Sequence, residues 1–504
     1  MPLSADEPIR ALVAGDMMIN GNYIAPKMNG RFYLNKPPLY NWIVIVFFKV
    51  FRSTNEWVFR LPSILSLLAF GLLVFKIVKQ RLKDVRLAWV IAIATVTGGN
   101  LWIYSAYLGH IDITYSVVSF LQIFVLYHYG EKGNWKKAFA FSYALASIGF
   151  MMKGLPTIVF QGISVFTILI LNKSFKKIWS ASHLLSTLIF AAPVGIYLWV
   201  YSQHADITKL LERIVSESSS RTVTEKSFIE SFEHLFLFPL RYLLDILPWG
   251  LAVFVFLRKE ARTYVWSNAF LKTSLLLFLF NIIIYWLSPD YRARYVFMLT
   301  PFLLIPSIAA CLHVWSDKQL KPTTLILSIL LVVSPIAMFL IARTAVDISI
   351  VTAVALTITG FLLLITLMFK FTVPTTYLVI LGLVIARLGY SHYMVPYRVQ
   401  TGPYLEEKIN GQAIGQLTEG SDLGMYNSNV ALTMNWYMTV ERNATVETKT
   451  SDYSFHSYYL VPTEVIKDTA NVDTYYTFVR RFESKPFSLV KFKYRFPEMP
   501  KKKK

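Results

Sequence analysis

A chain of 504 residues that is 55% hydrophobic, 15% aromatic and only 16% charged has too little polar surface to be wetted as a soluble protein. Its formal net charge of +20 does not call for nucleic acid, because many of the cations sit in short loops between apolar runs and in the tail Lys501 to Lys504, where anionic headgroups account for them. The single cysteine, Cys311, lies in the apolar run SIAACLHVW and leaves neither a disulfide framework nor a cysteine metal site.

The chain opens with an acidic pair, Asp6 and Glu7, ahead of any membrane-length run. The stretch EPIRALVAGDMMING has helical spacing and puts both carboxylates at its N-terminal end, where the helix dipole favours them; capping is a sufficient role for one of the two. In GNYIAPKMNGRFYLNKPPLYNW, Gly30 and the pair Pro37 and Pro38 punctuate a segment that carries Tyr33, Lys36 and Tyr40. The prolines fix the backbone, so Lys36 is presented from a stiff turn and suits a phosphate, although a lysine snorkelling to headgroups has the same spacing. PLYNWIVIVFFKVF is apolar for only about 14 residues and is broken by Lys49, which predicts an interfacial helix. Residues 1–56 therefore read as an outer loop with interfacial helices.

A bilayer core of roughly 30 Å needs about 20 apolar residues per helix. Between Trp57 and Pro396 the sequence supplies about twelve such runs, near 57–75, 87–107, 110–128, 136–152, 155–171, 182–202, 235–257, 268–287, 295–314, 323–342, 348–370 and 376–395. Basic residues mark alternate loops: Lys76 to Arg86, Lys132 to Lys137, Lys173 to Lys177, Arg258 to Arg262, Lys318 with Lys321, and Lys370. These loops stay cytoplasmic, which puts the other loops and both chain ends outside. Arg10, Lys27, Arg31, Lys36, Lys49 and Arg52 are an unfavourable load to translocate ahead of a first span, so one more span is expected upstream.

Three ionisable sites fall at outer span ends: His110 and Asp112 in YLGHIDITYSV, Lys153 in FMMKGLPTI, and Asp290, Arg292 and Arg294 in SPDYRARY. Such groups are costly at membrane depth and are read as functional by default. Acids beside a Lys and Arg cluster suit a lipid-linked phosphate, with cations holding an anionic leaving group and a carboxylate taking a proton from the nucleophile. After Pro396 polar residues return. Residues 397–504 read as a small soluble exterior α/β domain, with a helix in PYLEEKINGQAIGQL and a half-buried strand in SLVKFKYRF. The fold class is thus an all-α polytopic membrane bundle with a small C-terminal α/β domain.

ADEPIRALVAGDMMINGNYIAPKMNGRFYLNKPPLYNW, NEWVFRLPS, HIDITYSV, MMKGLP, the LPW of Leu247 to Trp249 and ARYVFMLTP, in this order, resemble membrane glycosyltransferases of the GT-C class, family 39. That group holds the lipid A aminoarabinose transferases and the protein O-mannosyltransferases. The resemblance implies transfer of a sugar from a polyprenyl-phosphate donor to a lipid, protein or glycan acceptor on the outer face of a membrane, expected here to be a bacterial inner membrane. It places Asp6 at the family's catalytic acid, Asp112 at a second functional acid, Lys36 in the KPP element facing the donor phosphate, and Arg292 and Arg294 near a basic site. Lys153 joins the phosphate-binding set, and Glu7, Tyr33, His110 and His234 are further site candidates. Some relatives carry a glutamate before the KPP lysine that contributes to a metal site. Asn35 stands there in this chain, a poorer cation ligand, with His234 as a remaining candidate ligand for a divalent metal. The competing reading is a transporter or lipid flippase, which would place its charges near the bilayer midplane, often in two repeated halves. A membrane scaffold is a third reading, and it leaves the basic cluster without a role.

Overall fold

The computed structural model describes residues 1–219, 228–288, 291–369, 374–426, 428–449, 453–479, 486–494 and 496, so Asp290, Lys370, Arg495 and the terminal lysines lie outside the described residues. Where no water reaches, each backbone polar group must be bonded internally, and apolar runs of bilayer length fold as helices. Among the described residues, seven stretches are long and apolar enough to cross: Glu56–Leu82, Ile111–Gly130, Ala181–Ser202, Ala269–Trp286, Asp317–Ala342, Ile350–Phe369 and Thr376–Thr401. Leu39–Phe51, Val85–Val96, Pro156–Leu171 and Thr300–Val314 are shorter apolar helices, and Trp135–Lys153 runs from the second basic loop towards the third.

Three of the expected spans are interrupted. The run at 87–107 is helical over Val85–Val96, passes through Gly98 and Gly99, and resumes as a π-helix over Asn100–Ser105. The two glycines lie against the backbone of residues 245–247; a Cβ on Gly99 would meet the Leu247 carbonyl oxygen at 3.0 Å. The run at 235–257 divides into Phe228–Asp245 and a 3-10 helix over Trp249–Leu257, on either side of a cis Leu247–Pro248 bond. Pro248 has no N–H to continue the first helix. The run at 376–395 ends its α-helix at Gly389 and continues as a π-helix over Tyr390–Met394. Among the helices with no counterpart in the expectation is Ile207–Ser219, with Ile207, Leu210, Leu211, Ile214 and Val215 separated by polar residues at helical spacing.

The chain divides into two compact units. One holds Met1–Tyr33, Asn41–Phe59 and Val395–Lys504, so the segments that the sequence divides at 56 and 397 fold into one body. Its ties are specific. The Phe48 ring lies 6.0 Å from Trp436 and 6.4 Å from Phe59. The Glu56 carboxylate accepts from Lys408 Nζ at 2.7 Å and Tyr437 O–H at 2.8 Å, and Tyr437 Oη accepts the Leu3 N–H at 3.1 Å. Asp16 accepts from the Lys27 N–H at 2.9 Å and the Asn20 amide at 2.8 Å; burial pushes its carboxyl above the usual range, and these two bonds offset part of the shift.

In the same unit a five-stranded sheet runs in the order Glu447–Lys449, Leu423–Tyr426, Tyr458–Pro462, Pro486–Phe492, Val472–Val479, the first two pairings parallel and the last two antiparallel. Helices Tyr404–Leu417 and Leu432–Arg442 supply Ile414, Met434 and Met438 to the core on one face. The strand read in SLVKFKYRF is internal to this sheet, so Phe487 to Val490 are buried on both faces rather than alternately, and Tyr494, beyond the strand end at Phe492, is exposed.

The second unit holds Leu34–Tyr40 and Arg60–Met394. Its interior is braced by polar bonds between helices. Gln122 Nε2 donates to Gln161 Oε1 at 2.9 Å, Ser142 Oγ to the same oxygen at 2.9 Å, and Ser164 Oγ to Asn281 Oδ1 at 3.2 Å. Between membrane helices, packing and such bonds take the place of the hydrophobic drive.

Candidate active site

The site is built from the second unit. Pro37 and Pro38 stiffen the turn that carries Lys36, and Tyr40, fully buried, anchors the turn's far end. Its hydroxyl donates to the Gly109 carbonyl at 3.1 Å and lies 3.0 Å from Ser63 Oγ, which in turn donates to the His110 carbonyl at 2.9 Å. The lysine turn is thus tied to the two residues that lead into the helix Ile111–Gly130. Tyr40→Phe removes this buried hydroxyl with its bonds to Ser63 and Gly109, so it is expected to lower stability by about 1–2 kcal/mol, read as a lower unfolding temperature in detergent.

His110 is the residue at which the chain enters that helix, in extended backbone with φ −82° and ψ 130°. Asp112 then falls in the first turn, where the dipole favours a carboxylate. Lys153 falls in the last turn of Trp135–Lys153, where the dipole favours a cation, and Gly154, at φ +81°, ends the helix. The two ends meet. Lys153 Nζ lies 2.5 Å from Asp112 Oδ1, and Arg294 Nε lies 3.4 Å from Asp112 Oδ2. The side chains of Asp112 and Lys153 are 6% and 4% exposed, so this is a buried ion cluster rather than a surface pair.

Two rings complete the setting of the lysine, Tyr115 with its centroid at 4.9 Å from Nζ and Tyr295 at 4.6 Å. Tyr115 is itself held by a 3.1 Å bond to Thr157 Oγ1. Among the described residues, one carboxylate here meets two cations. The cluster is suited to an anion, with Asp112 holding both cations in place.

The π-helix Asn100–Ser105 packs against two of the segments that carry the cluster. Its Leu101 packs with Ile113, one residue beyond Asp112, and with Phe297, three beyond Arg294. Asn100 Nδ2 donates to Asp245 Oδ1 at 3.3 Å, and Tyr291 Oη donates to Asp245 Oδ2 at 2.8 Å, which ties the segment leading to Arg294 to the same support.

Of the two arginines offered by SPDYRARY, Arg294 reaches Asp112, whereas Arg292 is exposed. His110 is buried beside Asp112. Near Lys36 the structure adds a cation that the sequence reading omits: Arg213 Nε donates to Asn35 Oδ1 at 2.9 Å. Arg213 belongs to the helix Ile207–Ser219, and the alternation of apolar and polar residues there is the signal that could have found it. His234 is buried elsewhere in the unit, its Nε2 donating to the Tyr285 carbonyl at 3.0 Å. With Asn35 engaged by a guanidinium, and no group of three metal-ligating side chains among the described residues, the side chains around Asn35 do not fit a divalent cation.

Asp6, Glu7 and Tyr33 belong to the first unit. Glu7 is fully buried in the first turn of Glu7–Asn20, and its Oε2 accepts the Ser4 N–H at 2.9 Å. Glu7 therefore takes the helix-terminus role, while Asp6, at the N-cap position, makes no capping bond with its side chain. It is part-exposed and follows Ala5, which is held at φ +54°. Tyr33 is covered by the Arg10 guanidinium, 5.3 Å from its ring centre.

A family model described as dolichyl-phosphate-mannose-protein mannosyltransferase matches residues 35–197, the stretch that carries Lys36, Asp112 and Lys153. In fold the chain is similar to ArnT from Cupriavidus metallidurans bound to undecaprenyl phosphate, with a TM-score of 0.70 at 16% identity over 97% of this chain and 94% of that one. The apo state of the same protein gives a TM-score of 0.68 over the same shares. An uncharacterized protein of Aquifex aeolicus (strain VF5) is 25% identical over 219 residues, 43% of this chain and 42% of its own, so the match spans less than half of that relative. Residues 35–197 thus resemble the dolichyl-phosphate-mannose-protein mannosyltransferase family, and the fold resembles that of ArnT, in line with the likeness to GT-C membrane glycosyltransferases read in the sequence. With seven stretches long and apolar enough to cross a bilayer among the described residues, the chain is an integral multi-pass membrane protein.

Proposed function

We propose that this chain transfers a sugar from a polyprenyl-phosphate carrier to a lipid, protein or glycan acceptor at the outer face of the membrane, in a bacterial inner membrane. The observation that supports it most is the buried Asp112, Lys153 and Arg294 cluster, tied through Gly109 and His110 to the turn that carries Lys36. In the reaction a nucleophile on the acceptor forms a bond to the anomeric carbon as the bond from that carbon to the phosphate oxygen breaks. The electron pair leaves with the phosphate, which gains a negative charge, and the anomeric configuration inverts. Cations whose positions are set beforehand stabilise that charge as it develops. Lys36, Arg213 and Arg294 are assigned to the phosphate. Lys153 keeps the field positive through Asp112.

Asp6 is assigned as the general base when the acceptor is a hydroxyl. When the acceptor is a phosphate there is no proton to remove, and Asp6 serves to position groups or balance charge. The experiment is to incubate the purified protein with labelled polyprenyl-phosphate sugars and a membrane extract. Label is expected to move from the carrier to a single class of molecule. Failure to move from any donor offered, with donors still translocated across a vesicle, would turn the assignment to a flippase.

A further inference from the structure

Arg387 stands in the helix Thr376–Gly389, within a 26-residue stretch apolar enough to cross a bilayer. A guanidinium there is costly unless its charge is answered. Its Nη1 donates to the Trp102 and Ile103 carbonyls at 2.6 and 3.1 Å. The rings of Trp102, Tyr107 and Tyr390 lie 5.5, 5.4 and 5.8 Å from its central carbon. Carbonyls and ring faces soften a cation without neutralising it. Among the described residues no carboxylate pairs with Arg387, and its Nε and Nη2 make no hydrogen bond.

That free edge is also accessible. Arg387 is part-exposed, and neither nitrogen is among the sealed polar atoms of the structure. Nε and Nη2 form the fork that matches two oxygens of a phosphate. The Tyr107 and Tyr390 hydroxyls, 3.5 Å apart, put further donors beside it. Val384 and Leu388, on either side of Arg387 in the helix, are 44% and 48% exposed and offer an apolar surface for hydrocarbon. Both contributing segments, Asn100–Ser105 and Tyr390–Met394, are π-helical here, and such local widening is frequent at functional sites.

We propose that Arg387, with the Tyr107 and Tyr390 hydroxyls, binds the phosphate of a lipid whose chains lie along Val384 and Leu388. The site shares no residue with the Asp112 cluster and does not depend on the transferase assignment. The lipid is either a bilayer phospholipid or the polyprenyl carrier, which share the phosphate and differ in the chain.

The test uses full-length protein in neutral detergent, titrated in native mass spectrometry with short-chain phosphatidic acid, undecaprenyl phosphate and the matching diacylglycerol. Arg387→Gln is expected to weaken phosphate-lipid binding about tenfold or more and to leave diacylglycerol binding unchanged, with Arg387→Lys intermediate. A loss confined to phosphatidic acid identifies a bilayer lipid, and a loss confined to undecaprenyl phosphate identifies the carrier. Inorganic phosphate at millimolar concentration should not displace either. Equal binding of both lipids by wild type and Arg387→Gln overturns the proposal. So does displacement by inorganic phosphate alone, which would make the site one for a free anion. Should Arg387→Gln not fold, the wild-type protein is labelled with phosphatidic acid bearing a photoreactive group next to the phosphate. Cross-links are then expected within 100–110 or 384–394, and labelling only elsewhere rejects the site.

Discussion

Asp112→Asn is expected to be the most destabilising single substitution in the second unit, by about 3–5 kcal/mol, because it removes the carboxylate against which Lys153 and Arg294 are buried. Removing a cation instead is milder. Lys153→Met leaves Asp112 with Arg294, and the added methionine fills the space between the Tyr115 and Tyr295 rings. The two changes therefore should not add. The double variant, which loses Lys153 along with the carboxylate, is expected to be more stable than Asp112→Asn alone, a coupling of the sign that a direct ion pair produces. Unfolding in detergent, followed by size-exclusion fluorescence for wild type, both single variants and the double variant, measures it. An Asp112→Asn protein as stable as wild type, or strictly additive losses, would mean that the cluster is not held by its charges. Sugar transfer is expected to fall in all three variants, since each disturbs the field offered to the departing phosphate.

That cluster was partly legible in the sequence. An ionisable residue near a bilayer-length run is rare enough to be noticed singly, which is how Asp112, Lys153 and Arg294 stand out. Their meeting on one carboxylate was not legible, because the three lie on elements 41 or more residues apart, and nothing local encodes which of Arg292 and Arg294 turns inward. The spans were legible by length and hydropathy. Their interruptions were not, since Gly98 and Gly99 read as ordinary small residues until the backbone of residues 245–247 is seen against them.

Arg213 was missed for a different reason. Its helix is amphipathic rather than apolar, so a search for bilayer-length runs passes over it. The folding of the first 33 residues into one body with the C-terminal segment was also beyond local reading. The contacts that tie them, such as Leu3 to Tyr437, join residues 434 apart, and hydrophobic spacing carries no information at that range.

Asp6→Asn is expected to lower the turnover of sugar transfer by about 10²–10⁴ with a hydroxyl acceptor, the range over which general-base assistance usually acts. The effect should lie in kcat. An amide of the same size keeps the shape of the N-cap position, so the stability change should be small. Donor binding, measured with undecaprenyl phosphate in place of the sugar-loaded carrier, should be unchanged, because the phosphate is assigned to cations of the second unit. Lys36→Met should divide the other way, weakening carrier binding through loss of a charge presented from the Pro37 and Pro38 turn. Near-normal turnover by a folded Asp6→Asn protein with a hydroxyl acceptor would remove the general base from the proposal. Loss of carrier binding in Asp6→Asn would instead assign the carboxylate to holding the donor, and proton removal would then have to come from another group or from solvent.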